Sequence, residues 1–265
     1  MIFIDIITRF IKERFFDQAA QTAYYLLLSM LPFLIFILSL LSLFPINDEL
    51  LLDFLEPFVP IESFRLVENN VEEIVGRNKG NLIVTSLVLA FWISSIAVQS
   101  LGRSLDLAYG YVRSLPFWKV VIRDLGITLL FMVAIPLSLF LPFIMRFLRK
   151  LVAYSDTIGE LSVWIYIWPN VKWGLGTLFL FIFFLLFYKV LPTGKVKLKE
   201  AIPGAAFAAF VWQLFSIVFG DYASNVDYTR LYGQLSGIIL LVLWFYFTAT
   251  IILFAGLLNA EWRKS

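Results

Sequence analysis

Long apolar runs without charge alternate along the chain with short charged segments. No Asp, Glu, Lys or Arg occurs in residues 18–47, 80–102, 125–145, 173–188, 201–220 or 231–260. A helix needs about 20 apolar residues to cross the hydrocarbon core of a bilayer. Five of the six runs reach that length, and the fourth, with 16 residues, continues in apolar character back to Val163, past a Lys172 that can snorkel. The runs are continuously apolar rather than alternating, so they predict helices and not the strands of a barrel. The pattern predicts an all-α polytopic membrane bundle, a single membrane domain over residues 1–265. Its six transmembrane helices fall at about 22–45, 81–101, 121–145, 170–190, 201–219 and 232–258.

Three connecting segments carry structure of their own. Residues 1–17 are amphipathic: Phe3, Ile7, Phe10 and Ile11 share a face, with Asp5, Arg9, Lys12 and Glu13 elsewhere. They predict an N-terminal helix that lies in the membrane interface or packs on the protein's own cytoplasmic end. The segment lacks the short apolar core and cleavage pattern of a signal peptide. In the outer loop, residues 47–79, Phe64, Val67, Val71 and Ile74 repeat at helical spacing and predict an amphipathic helix. In 161–168, Trp164, Tyr166 and Trp168 alternate with Val163, Ile165 and Ile167, as in an interfacial aromatic belt. No internal repeat is visible.

Composition agrees with this reading and narrows the chemistry. Hydrophobic residues make up 61% and charged residues 15%, against about 25% charged in soluble domains. A net charge of +2 is too balanced for a nucleic-acid binder. There is no Cys and no His, which excludes disulfides, thiolate nucleophiles, serine–histidine triads and the usual zinc sites. No cofactor and no metal is expected. Counting Lys and Arg between the six spans gives 13 on the side of both termini and 8 on the other, while acidic residues divide 7 against 12. This bias places both termini in the cytoplasm. The outer cluster Arg146, Arg149 and Lys150 runs against it.

Polar residues within spans mark candidate function. On the first span Gln18, Thr22, Tyr25 and Ser29 form one stripe, followed by Pro32. On the second, Ser95, Gln99, Arg103 and Asp106 form another, with Arg103 and Asp106 spaced to pair at i, i+3. The stripes line a substrate path or serve as helix–helix glue. Arg103 is the cation best suited to hold an anionic headgroup, Asp106 would orient it, and Gln99 and Tyr25 would add hydrogen bonds. Gln213 on the fifth span and Glu261 at the end of the sixth extend the set, and Asp106 and Glu261 are the candidate proton carriers. Asn225, Asn259 and Glu261, at helix ends, read as solvated caps. Small residues predict close helix packing: Gly204 and Ala208 on the fifth span, Gly233 and Gly237 opening the sixth, and Gly256 further along.

Several segments together resemble a known family. Ala19-Ala20-Gln21-Thr22-Ala23-Tyr24-Tyr25 with Ser29 and Pro32 resembles its N-terminal signature. Leu191-Pro192 with Ala201 to Gly204 resembles its loop into the fifth span. Leu231-Tyr232-Gly233, Leu243-Trp244 and Gly256-Leu257-Leu258-Asn259-Ala260-Glu261 resemble its C-terminal block. The family is YihY / virulence factor BrkB, bacterial inner-membrane proteins once named ribonuclease BN, and the likeness is colinear over nearly the whole chain. It implies a six-helix bacterial cell-membrane protein, and for some members export of envelope lipids has been proposed.

Three functions follow from these readings. The first is a transporter, a flippase or exporter of an anionic lipid or amphiphile, with membrane lipids as partners and no nucleic acid. There is no Walker A motif, so a gradient or a partner would drive it. The second is a non-transporting scaffold for envelope machinery. The third, ribonuclease action, is rejected, because the cytoplasmic carboxylates are scattered over five segments without metal-ligand spacing. The chain is read as a non-enzyme, with its oligomeric state left open.

Overall fold

The computed structural model describes residues 2–41, 79–111, 116–139, 161–225 and 229–264, and among them every regular element is helical. In chain order these are α1 (Ile2–Lys12), α2 (Phe15–Leu41), α3 (Lys79–Tyr109), α4 (Phe117–Leu139), α5 (Leu161–Val190) and α6 (Leu198–Asn225). A single turn, α7 (Thr229–Tyr232), and a 3₁₀ turn (Gly233–Leu235) lead into α8 (Ser236–Trp262). The 47–79 loop helix, apart from the start of α3 at Lys79, and the Arg146/Arg149/Lys150 cluster lie outside the described residues. The backbone of 161–168 is helical.

Among the described residues three helical stretches are long and apolar enough to cross a membrane: Val84–Tyr109 within α3, all of α6 and all of α8. The apolar stretch of α5, Gly174–Val190, is shorter. The helices run past the uncharged stretches that predicted them. α3 ends at Tyr109 rather than about 101, and α8 continues to Trp262. Local chemistry sets these ends. Gly110 has φ +71°, and past it Gly110 N and Tyr111 N donate to Leu107 O and Asp106 O, which closes the last carbonyls of α3. At the start of α6, Glu200 reaches back to accept from Lys197 N at 3.0 Å, the reciprocal bond of a capping box.

Side-chain bonds fix the directions of the helices. Thr22, near the start of α2, meets Ser100, near the end of α3, so these two run antiparallel. α5 and α6, joined by the short 191–197 connection and bonded at Thr177–Gln213, are also antiparallel, and so are α6 and α8, where Gly204 bonds Asn259 and Trp212 bonds Thr248. Tyr188 Oη donates to Ile252 O at 2.8 Å, near the ends of α5 and α8, which are therefore parallel. The start of α2, the end of α3, the end of α5, the start of α6 and the end of α8 thus share one end of the bundle, and the core is densest there. Ala201, Ala205, Ala208 and Ala209 on α6 and Ala249, Ile252 and Ala255 on α8 are buried where the two helices pack, while Gly256 of α8 lies against Leu105 of α3. Side chains this small let two backbones approach, which is the main source of contact energy where lipid replaces water.

α1 packs across that end. Its buried residues are Ile6 and Phe10, while Ile4, Ile7 and Ile11 face outward. Phe10 stacks on Phe15 at 5.4 Å and meets Phe254 of α8 at 5.9 Å. The apolar face predicted from sequence is therefore divided, with Phe10 inside and Ile7 and Ile11 outside.

Candidate functional site

Polar groups gather at the end of the bundle where α1 sits. Arg9 is the hub. Its Nη1 donates to Glu261 Oε1 at 2.6 Å, its Nε and Nη2 donate to the two oxygens of Glu13 at 2.8 and 3.1 Å, and Nη2 also donates to Ala108 O at 3.0 Å. Burial disfavours the charged guanidinium, but the two carboxylates outweigh it, and Arg9 holds its proton more tightly than a free arginine. Glu261 also accepts from Lys264 at 2.7 Å. One arginine thereby ties α1 to the last turns of α3 and α8.

A second knot ties α3 to the α5–α6 loop. Asp106 is buried, and its Oδ1 accepts from Thr193 N at 2.7 Å and Thr193 Oγ1 at 2.9 Å. Tyr111 lies over Gly194, donates to Lys195 O at 3.3 Å and accepts from Arg263. A side chain at Gly194 would run into the Tyr111 ring. A third knot is Asn259, fully buried, whose Oδ1 accepts from Gly204 N at 2.6 Å. On α4, Asp124 is fully buried and accepts from Arg123 Nη2 at 2.7 Å.

The predicted stripe on α2 reaches α3 through Thr22, which meets Ser100, a residue outside the predicted stripe of α3. With Thr22 against Ser100 at 3.0 Å, a step of about 100° per residue places the rest. On one side of the contact lie the buried Ala19, Ala23, Ala97 and Leu101. On the other lie Gln18, Gln21 and Tyr25 of α2 and Gln99 and Arg103 of α3, all half-buried or exposed. They edge an outer seam between the two helices. Gln21 Nε2 donates to Tyr25 Oη at 3.3 Å. Arg103 is exposed, and among the described residues no hydrogen bond or ion pair engages it. Leu107, one turn on, is exposed beside it, and Leu89 and Trp92 are exposed three to four turns back on the same face of α3.

The remaining predicted residues fall elsewhere. Ser29 and Ser95 are buried and donate to carbonyls of their own helices, Leu26 O and Trp92 O. Gln213 accepts from Thr177 Oγ1 at 2.6 Å, between α5 and α6 and away from the seam. Glu261 belongs to the Arg9 hub. Four readings need correction. Asp106 turns to Thr193 and leaves Arg103, because i, i+3 spacing on a helix gives proximity and the loop offers two donors. Asn259 and Glu261 are not solvated caps, since α8 runs on to Trp262 and both sit inside helix contacts, whereas Asn225 does cap its helix by donating to Asp221 O. Gly233 is not a packing glycine: it is exposed in the 3₁₀ turn at φ +57°, and a Cβ there would meet nothing within 4 Å. Gly237 lies half-buried in the first turn of α8, whereas Gly204, Ala208 and Gly256 are buried at helix contacts and Pro32 is half-buried within α2. Arg9, Thr193 and Tyr188 escaped the sequence reading, because their partners stand 252, 87 and 64 residues away.

Comparison with known proteins places the chain in a family. The sequence profile of the family described as virulence factor BrkB matches residues 6–265. The ribonuclease-like protein YfkH of Bacillus subtilis (strain 168) is 31% identical over 249 residues, covering 94% of this chain and 90% of that protein. A UPF0761 membrane protein of Xanthomonas campestris pv. campestris (strain B100) is 27% identical over 251 residues, 90% of this chain and 55% of that protein. The chain therefore spans nearly all of the first relative and about half of the second. No solved structure matches it. A match over residues 6–265 takes in nearly the whole chain, and the chain belongs to the virulence factor BrkB family of membrane proteins.

Proposed function

We propose that the protein moves an anionic lipid or another anionic amphiphile of the cell envelope across the bacterial cell membrane, as a flippase or exporter and without enzymatic chemistry. In this reading six helices, α2 to α6 and α8, cross the membrane, and both termini face the cytoplasm. The observation that carries it is Arg103. A guanidinium that makes no hydrogen bond or ion pair among the described residues, set in a polar seam on an otherwise apolar outer face, suits a phosphate or carboxylate headgroup arriving sideways from the bilayer. Gln99, Gln21 and Tyr25 supply neutral hydrogen bonds along the seam, and the exposed Trp92, Leu89 and Leu28 suit acyl chains. Nuclease chemistry draws no support here, since among the described residues no three metal-ligating side chains come together.

One observation favours the second reading, a non-transporting scaffold. Thr22 and Ser100 satisfy each other across the α2–α3 contact and act as glue, while Ser29 and Ser95 are spent on carbonyls of their own helices. Reconstitution in vesicles with fluorescent phosphatidylglycerol and phosphatidylcholine separates the two. Wild type should move the anionic lipid faster than the zwitterionic one. Arg103→Ala should slow it about ten- to a hundredfold, the equivalent of about 1.5–3 kcal/mol for a charge-assisted contact. Arg103→Lys should fall between. Absence of lipid movement by the wild type leaves the scaffold reading, and a fully active Arg103→Ala moves the path away from this seam.

A further inference from the structure

α1 divides its circumference into three sectors. Ile6, Arg9, Phe10 and Glu13 face the bundle. Asp5, Thr8 and Lys12 form an exposed polar sector. Between them an apolar sector, Ile4, Ile7 and Ile11, is 69%, 51% and 60% exposed. A helix packed on its own protein and otherwise surrounded by water has no use for that third sector. An 11-residue helix is about 16 Å long and cannot cross a bilayer, but it can lie along one.

The depth of α1 is fixed independently. Arg9 clamps it to Ala108 O and Glu261, one residue before the last residues of α3 and α8, which are both long enough to cross a membrane. Helix ends of this kind lie at headgroup level. The neighbouring surface carries the marks of that level: exposed Trp262 followed by Arg263 and Lys264, and exposed Trp118 with Lys119 over its ring at 5.2 Å. Exposed apolar surface also lies beside α1 on the bundle, since Phe16 of α2 is half exposed and touches Phe10 at 4.7 Å.

We infer that α1 is a membrane-surface strap, its Ile4/Ile7/Ile11 sector seated among the lipids of the adjacent leaflet while Arg9 clamps its inner sector to the ends of α3 and α8. Packing on the protein and lying in the interface are then two faces of one arrangement. The strap needs no substrate at Arg103 and stands whether or not lipid is moved.

The chain has no Cys, so single-cysteine variants report one position each. Ile4→Cys, Ile7→Cys, Ile11→Cys, Asp5→Cys and Lys12→Cys, labelled with bimane, are reconstituted in phosphatidylcholine/phosphatidylglycerol vesicles. A lipid nitroxide near the headgroup should quench positions 4, 7 and 11 several-fold more than 5 and 12, and aqueous iodide should do the reverse. Equal iodide quenching at 7 and 12 overturns the inference, because the sector then faces water. Shielding from both quenchers that is lost on dilution into excess lipid also overturns it, because a second copy then covers the sector. For the clamp, Ile6→Cys should label several-fold faster when combined with Arg9→Gln, with the thermal melt checked to remain cooperative. An unchanged rate removes Arg9 from the inference.

Discussion

Gly204→Ala tests a close approach of two helix backbones, α6 and α8. Gly204 is buried on α6 where α8 crosses it, and its N–H donates to Asn259 Oδ1 at 2.6 Å. An added Cβ would lie 2.5 Å from Asn259 Nδ2 and 2.6 Å from its Cγ, and would press on the backbone oxygen of Ala255. The amide can rotate away, but the carbonyl cannot move without displacing α8. Overpacking of this kind costs about 1–3 kcal/mol, and losing the buried bond adds about 1 kcal/mol, so the expected loss is about 2–4 kcal/mol. In a chain of this size that corresponds to a fall of about 5–15 °C in melting temperature, read by size-exclusion chromatography after heating in detergent. Gly126→Ala is the control. Gly126 is exposed on α4 with nothing within 4 Å of a Cβ, so alanine there should be neutral or gain up to about 1 kcal/mol of helix propensity. Asn259→Ala should cost less in the Gly204→Ala background than in wild type, since the bond is already broken. If Gly204→Ala melts with Gly126→Ala, the close approach of α6 and α8 is wrong.

The other predictions concern single contacts. Arg9→Leu should destabilise by about 2–3 kcal/mol through its charge-assisted bonds, whereas Arg14→Ala, whose pair with Asp17 is largely exposed, should cost at most about 0.5 kcal/mol, both read as detergent melts. Asp106→Ala should cost about 2–4 kcal/mol by loss of its two bonds to Thr193, and Asp106→Asn markedly less because an acceptor oxygen remains. Transport per folded molecule should stay near wild type in Asp106→Asn, and a selective loss there would return Asp106 to the substrate path. Tyr188→Phe should cost about 1 kcal/mol from the bond to Ile252 O, with a melt equal to wild type counting against that bond.

What was legible in the sequence followed from properties that repeat along one helix. The uncharged runs announced helices because a bilayer tolerates few charges, and the four- and three-residue steps of Thr22, Tyr25 and Ser29 placed them on one face. What was illegible depended on neighbours distant in the chain. Nothing near Asp106 signals Thr193, which a loop brings in 87 residues later. Asn259 and Gln213 are both uncharged polar residues on apolar helices, yet one is buried against Gly204 and the other meets Thr177. Small-residue spacing misled at Gly233, because the same residue that lets helices approach also permits the positive φ of a turn, and local sequence does not separate the two uses. Helix ends were drawn too short because charge marks where lipid stops and not where a helix does.

The way polar groups are disposed argues for treating the seam and the clamped end as different in kind. At the clamped end Glu13, Asp106, Glu261 and Asn259 each bind a residue on another element or hold one that does, and together they fix how α1, α3, α6 and α8 meet. Removing any of them should show first in stability. Arg103 is six residues before the last residue of α3, about 9 Å along the axis, and gives the fold no bond among the described residues. A charged side chain at the bilayer centre costs about 2.5–3.5 kcal/mol, and nearer the surface it is relieved by snorkelling. Its long stem can lie along Leu107 and the outer face of α3 while the guanidinium reaches the headgroup layer, where phosphates outnumber any protein acceptor. If the proposed path runs here, a cation that gives the fold no bond among the described residues should show first in what the protein does with lipid anions, with little change in its melt.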